Sequence, residues 1–221
     1  MKIGIIGAGS IGATAARLFA RAGHDVAVSN SRGPASLEEL VASINADAGA
    51  TVVDQASPRT RAATVDEAAR FGDVVLLAVP FRAPEALPKP ELVRGKIVID
   101  AMNPYGPGGT IMDLGDSTSS EETAKRLPGA RIVKAFNTIY WEHLRSQGRP
   151  DLPLAERRAI FVAGDDAEAK AVVSRLIEEI GFAPVDTGSL REGGRRQQPG
   201  TPIYNRALTP AQSLEAMSGA R

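Results

Sequence analysis

Residues 2–12 read KIGIIGAGSIG, a β-branched run that breaks into three glycines at G-x-G-x-x-G spacing, with a helix-like stretch, Ser10–Ala22, directly behind. In such a strand–turn–helix unit each glycine has a separate task. Gly7 allows the tight turn, Gly9 lets the backbone approach a pyrophosphate, and Gly12 lets the helix pack close to the strand. Ser10 and Ile11 stand in the first helical turn, whose free N–H groups and partial positive charge attract phosphate. This opening predicts a dinucleotide-binding βαβ unit, and with it an open α/β fold.

Outward from that unit, short β-branched runs keep alternating with helix-like stretches, the pattern of a parallel sheet covered by crossover helices. Strands are expected at Lys2–Ile6, Asp25–Ser29, Arg61–Val65, Val74–Val79, Lys96–Asp100, Arg131–Ala135, Ala159–Val162 and Ala183–Asp186. Helices are expected at Ser10–Ala22, Ser36–Asn45, Val65–Arg70, Ser119–Leu127, Asn137–Arg145 and Asp166–Ile180. The fold class is therefore α/β, a Rossmann-type doubly wound, mostly parallel sheet in a single domain. Residues 1–190 are read as the nucleotide-binding domain with its embedded catalytic segment, and 191–221 as a C-terminal extension.

Two stretches read as irregular. Residues 46–60 resemble a surface excursion with a short strand at Thr51–Val53. Residues 187–209 are rich in Gly, Arg and Pro, with a short helix, Pro210–Met217, behind them. Arg191, Arg195, Arg196 and Arg206 give this second stretch a local positive charge. It is read as flexible, either closing over an anionic cofactor, reaching a partner subunit, or remaining a solvated tail.

Composition narrows the chemistry. The 221 residues carry 26 basic and 26 acidic side chains, which gives no electrostatic case for nucleic acid or an anionic membrane. No cysteine is present, which excludes disulfides, thiolate metal sites, iron–sulfur clusters and a thiol nucleophile. No metal site is expected. No apolar run approaches the roughly 20 residues of a membrane span, and the chain enters its first strand without a secretory signal, so a soluble, cytoplasmic protein is expected.

The end of the second strand selects the nucleotide, because an Asp or Glu there usually binds the 2′-hydroxyl of NAD. Ser29, Asn30, Ser31 and Arg32 occupy that place. No carboxylate repels a 2′-phosphate, and the Arg32 fork with the short donors of Asn30 and Ser31 suits one, so NADP(H) is the expected cofactor. After the fourth strand come Val79, Pro80 and Phe81, and after the fifth Asn103 and Pro104. These are read as walls beside the adenosine and nicotinamide riboses, with plain strand-ending turns as the alternative.

Five segments together, GAGSIG at 7–12, SNSRGP at 29–34, LLAVPF at 76–81, IDAMNP at 99–104 and KAFNTI at 134–139, resemble the NADP oxidoreductases that depend on coenzyme F420, a deazaflavin. KAFNTI is also similar to the NADPH-oxidising domain of metalloreductases, which pass hydride to a flavin. The resemblance implies one Rossmann-type domain in which NADP(H) exchanges hydride with a second ring, F420 or a flavin. It implies that Asn137, Thr138 and Ile139 lie beside the nicotinamide, and that Ser31 and Arg32 hold the 2′-phosphate.

Hydride transfer between two rings needs close approach in a water-poor site and little acid–base help, whereas carbonyl or imine reduction needs a positioned proton donor. Phe136, Tyr140 and Trp141 cluster beside the KAFNTI segment, and Tyr140 is the one candidate donor among them. His24 is read as a surface residue, and His143 as off the face that carries Asn137. Two alternatives stay open, a reductase of a small imine or carbonyl and a non-catalytic NADP(H) sensor. Enzymes of the former kind append a helical domain that the short stretch after the last strand does not provide. A homodimer acting on a small-molecule hydride acceptor is expected.

Overall fold

The computed structural model describes residues 1–49 and 59–219. In chain order the strands are β1 (Lys2–Ile6), β2 (Asp25–Ser29), β3 (Thr60–Ala63), β4 (Val74–Leu77), β5 (Ile97–Asp100), β6 (Arg131–Lys134), β7 (Ala159–Ala163) and β8 (Ala183–Gly188). The helices are α1 (Ser10–Arg21), α2 (Glu38–Asp47), α3 (Val65–Phe71), α4 (Pro90–Val93), α5 (Ser119–Arg126), α6 (Trp141–Ser146), α7 (Ala167–Glu179), α8 (Glu192–Arg196) and α9 (Pro210–Ser218).

One sheet runs β3-β2-β1-β4-β5-β6-β7-β8. The first six strands are parallel; β7 reverses against β6 at Lys134 and Ala163, and β8 runs parallel to β7. The doubly wound, mostly parallel sheet is thus as expected, with one reversal near its far edge. β4 (VVLL) is buried at all four positions, as a strand covered on both faces must be. Phe19 of α1 and Ala169, Val173, Leu176 and Ile177 of α7 belong to one core cluster. Ala68 and Ala69 of α3, Val93 of α4 and Leu127 belong to a second. Chain order changes direction between β1 and β4, which opens a crevice at their carboxyl ends.

Several expectations need correction. The helix expected from Asn137 begins only at Trp141, because Phe136 takes a left-handed φ of 66° and the residues after it bond across the fold instead of along a helix. The helix expected from Ser36 is split into a single 3-10 turn over Pro34–Leu37 and then α2. The strand considered at Thr51–Val53 lies outside the described residues. His24 is buried, with Nε2 2.8 Å from the Glu179 carboxylate. Nor is 187–209 a loose tail. β8 extends to Gly188, α8 follows, the Gln197 side chain is buried, and the Ala159 N–H donates to the Leu208 carbonyl at 2.7 Å. Among the described residues no helix is long and apolar enough to cross a membrane.

Candidate active site

The glycine turn is built as its spacing requires. Gly7 has φ 103°, and a Cβ there would sit 2.4 Å from the Ala78 carbonyl oxygen. At Gly12 a Cβ would come within 1.8 Å of the Gly7 carbonyl oxygen, so α1 presses on the turn at backbone distance. Gly9 is different, since nothing lies within 4 Å of the position its Cβ would take. That open face adjoins the first turn of α1, which has no side-chain cap and no acidic residue. Its N–H groups are left for an anion. The Gly7 N–H donates to the Ser29 carbonyl at 3.0 Å and the Ser29 hydroxyl to the Ile5 carbonyl at 2.9 Å, strapping the end of β2 to β1.

Beside the turn lies a cavity of about 800 Å³, within the range of small-molecule sites. Gly7, Gly9, Asn30, Ser31, Arg32, Val79 and Pro80 line it, and Ala83, Glu85 and Ala86 join them. The last three come from the turn that Pro84 starts after β4, a signal the strand-end reading passed over. Asn30 works inside its own loop. Its Oδ1 accepts from the Arg32 N–H at 2.9 Å and its amide donates to Ser36 at 2.9 Å, which shapes the turn that presents Ser31 and Arg32. Among the described residues no carboxylate is paired with the Arg32 guanidinium. Phe81 corrects its assignment as a cofactor wall. It is 2% exposed in the second core cluster, under the Arg126 guanidinium 4.3 Å from its ring, and does not line the cavity.

On the other side of the turn, at the carboxyl ends of β5 and β6, lies a recess of about 160 Å³ whose walls include Ile11, Asn103, Asn137, Ile139, Tyr140 and Tyr204. Two asparagines interlock here. The Asn103 amide donates to the Asn137 carbonyl at 2.9 Å, and the Asn137 amide donates to Asn103 Oδ1 at 3.1 Å and to the Gln197 carbonyl at 2.8 Å. Asn103 also donates to the Tyr204 hydroxyl at 3.1 Å, which lies 2.9 Å from the Tyr105 hydroxyl. Burial first, and then the bond to Tyr105, push the Tyr204 phenol well above the usual tyrosine range. Asn137 Oδ1 is buried without a partner among the described residues. An amide N–H of a ligand at the recess would satisfy it.

The sharp turn into this segment is Phe136, fully buried and set edge-on against Phe19 with ring centroids 6.1 Å apart. Such a backbone conformation costs about 1–3 kcal/mol and persists only where the surroundings impose it. Of the four residues read as catalytic, Asn137, Ile139 and Tyr140 line the recess, while Thr138 is buried and contributes its carbonyl, which accepts from the Asn205 N–H at 3.0 Å. Tyr140 is 47% exposed at the open side. Pro104 is buried and does not line the recess; its carbonyl accepts from the Met112 N–H at 2.8 Å. Tyr204 and Asn205 were not legible as site residues, because they reach the recess from far along the chain.

Beneath Asn103 sits a buried ion pair. The Lys134 ammonium lies 3.3 Å from Asp100 Oδ2 and also donates to the Met102 carbonyl and the Ser119 hydroxyl. Asp100 accepts in addition from the Met102 N–H and the Ser120 hydroxyl, each at 3.0 Å. Burial pushes the Lys134 ammonium down, against the pull of Asp100. This cluster fixes the strand ends that carry Asn103 and Asn137.

Residues 2–104 match the family described as NADP oxidoreductase, coenzyme F420-dependent. Among solved structures, the hypothetical protein SMa0349 of Sinorhizobium meliloti is 33% identical with a TM-score of 0.77, over 95% of each chain. A candidate F420-dependent NADP reductase from Arthrobacter sp. FB24 is 26% identical with a TM-score of 0.69, over 86% of each chain. The rat metalloreductase STEAP3 is 29% identical over 191 residues, which are 86% of this chain and 34% of that protein. The chain thus spans about a third of that curated relative's length.

Proposed function

Residues 2–104 match the family of coenzyme F420-dependent NADP oxidoreductases, and from that premise we propose that the chain moves hydride between NADP(H) and a deazaflavin or flavin ring. The observation that carries the reading is the pair of hollows flanking one glycine turn, the larger beside Arg32 and the smaller walled by amides and apolar side chains. In this reading Gly9 and the N-terminus of α1 would take a pyrophosphate, and Ser31 and Arg32 a 2′-phosphate. The unpartnered Asn137 Oδ1 suits a ring carboxamide. NADP(H), when bound, supplies or accepts the hydride at its nicotinamide ring.

The chain's own residues exclude water and hold position. Ile11, Ala101, Phe136 and Ile139 make the recess apolar, and Tyr140 and Trp141 flank its open side. Reduction of a carbonyl or imine calls for a proton delivered to a developing anion. Tyr204 is poorly suited to that, since its hydroxyl is engaged by Tyr105 and Asn103 and its proton is held tightly. A ring acceptor asks for no such proton donor. At about 160 Å³ the recess is also smaller than the roughly 300–1,000 Å³ of ordinary ligand sites, so the acceptor ring approaches from the Tyr140 side.

Stopped-flow oxidation of NADPH against F420, FMN, FAD, ferric chelates and small imines tests this. Rapid oxidation with at least one deazaflavin or flavin is the expected result. Turnover confined to imines or carbonyls would overturn it.

A further inference from the structure

We propose that the arginine-lined cavity between α8 and α9 binds the anionic side chain, phosphate or carboxylate, of the ring acceptor; this rests on the hydride-transfer reading above. The cavity has a volume of about 680 Å³, and Arg191, Arg195 and Arg196 all line it. Its apolar floor is supplied by Ile203 and Met217.

The local sequence explains how the arginines are held. Gly193 lies so close to the sheet that a Cβ would sit 2.7 Å from the Thr187 hydroxyl and 2.8 Å from Ala163 Cβ, so α8 lies flat on β7 and β8. Arg195 donates to the Asp116 carbonyl at 2.7 Å and Arg196 to the Thr187 carbonyl at 3.2 Å. Both anchors are neutral. Asp116 and Glu192 line the same cavity, yet among the described residues neither pairs with any of the three guanidinium groups. Three charges therefore face two, each guanidinium keeps spare donors, and their planar forks match phosphate or carboxylate.

Position ties this cavity to the recess. The Gln197 carbonyl, one residue beyond Arg196, accepts the Asn137 amide. Ile203 lines the cavity and its neighbour Tyr204 lines the recess, so the two hollows share one stretch of chain as a wall. A ring entering on the Tyr140 side and a charged side chain reaching across that wall would occupy both.

The test compares FMN with riboflavin, which has the same ring and lacks the phosphate, in the wild type and in the Arg191→Gln/Arg195→Gln variant. In the wild type the KM for FMN is expected to be lower by about tenfold or more, the scale of a charge-assisted contact. In the variant the FMN value should rise to meet that of riboflavin, with the NADPH Kd unmoved. Inorganic phosphate should raise the wild-type KM for FMN and leave that for riboflavin alone. If the variant does not fold, added salt in the wild type reads the same difference, weakening FMN selectively. Equal KM values for the two rings, or equal losses in the variant, overturn the arginine site while leaving hydride transfer standing. Phosphate binding that changes neither KM also overturns it, as the mark of an unrelated anion. No NADPH oxidation by any ring overturns the hydride-transfer reading itself.

Discussion

The two hollows flanking the glycine turn are made differently. The larger is built mainly on backbone, with the glycine turn, an uncapped helix N-terminus and the loop after β2 drawn from the first βαβ unit, and the segment after β4 completing its wall. The smaller is assembled from side-chain amides and hydroxyls that come together from β5, β6 and the C-terminal stretch. The first depends on the absence of atoms at Gly9 and Gly12. The second depends on hydrogen bonds, each of which a single substitution removes.

That contrast ranks the expected effects. Gly12→Ala is the harshest change, because its methyl would sit 1.8 Å from a backbone oxygen that only a shift of α1 can relieve. A loss of about 3 kcal/mol in unfolding free energy is expected from denaturant titration, with NADPH binding weakened as the turn distorts. Arg32→Ala should leave the fold intact and weaken NADPH by about 1.5–3 kcal/mol in calorimetric titration, with NADH hardly affected. Equal losses for both nucleotides would remove Arg32 from the 2′-phosphate.

Asn137→Ala probes the other hollow. It leaves Asn103 Oδ1 and the Gln197 carbonyl without their donor, and a fall of roughly tenfold in kcat/KM is expected, the scale of 1–2 kcal/mol. An adenosine nucleotide carrying a 2′-phosphate should bind this variant as it binds the wild type. If it did not, the two hollows would be one unit.

The smallest effect belongs to a pair outside both. The Arg131 guanidinium, bonded to both oxygens of Asp166, holds that carboxyl well below the usual carboxylate range, with the Ala169 N–H assisting. A depressed folded-state pKa means that the stabilisation is present at neutral pH and lost as pH falls through the carboxylate range. Asn in place of Asp166 can still accept from the Ala169 N–H, so Asp166→Asn isolates the charge. Its Tm should lie slightly below that of the wild type at neutral pH and converge with it on acidification, with ligand binding unchanged.

The same contrast explains what could be read in advance. β1 and β2 match their expected bounds, and the glycine spacing placed the turn, because these depend on steric demands among residues close in sequence. The start of α6 was missed because Phe136 is forced into a left-handed conformation and Asn137 spends its amide on partners 34 and 60 residues away. The C-terminal stretch looked loose because Gly, Arg and Pro carry no periodic signal. It is held by Gln197, Tyr204 and Asn205 through bonds to β8, the Asn103 turn and Thr138. Phe81 misled in the opposite way, an aromatic at a strand end whose ring turns inward.

On the proposed hydride transfer, a recess that holds about 160 Å³ would also bear on the order of events during turnover. Such a recess would leave an acceptor ring little room to reside between cycles, so the acceptor is expected to arrive and depart with each round, with both reactants present together. Initial-velocity plots for the two reactants should therefore give intersecting lines, the signature of a ternary complex, and not the parallel lines of an enzyme that stores reducing equivalents.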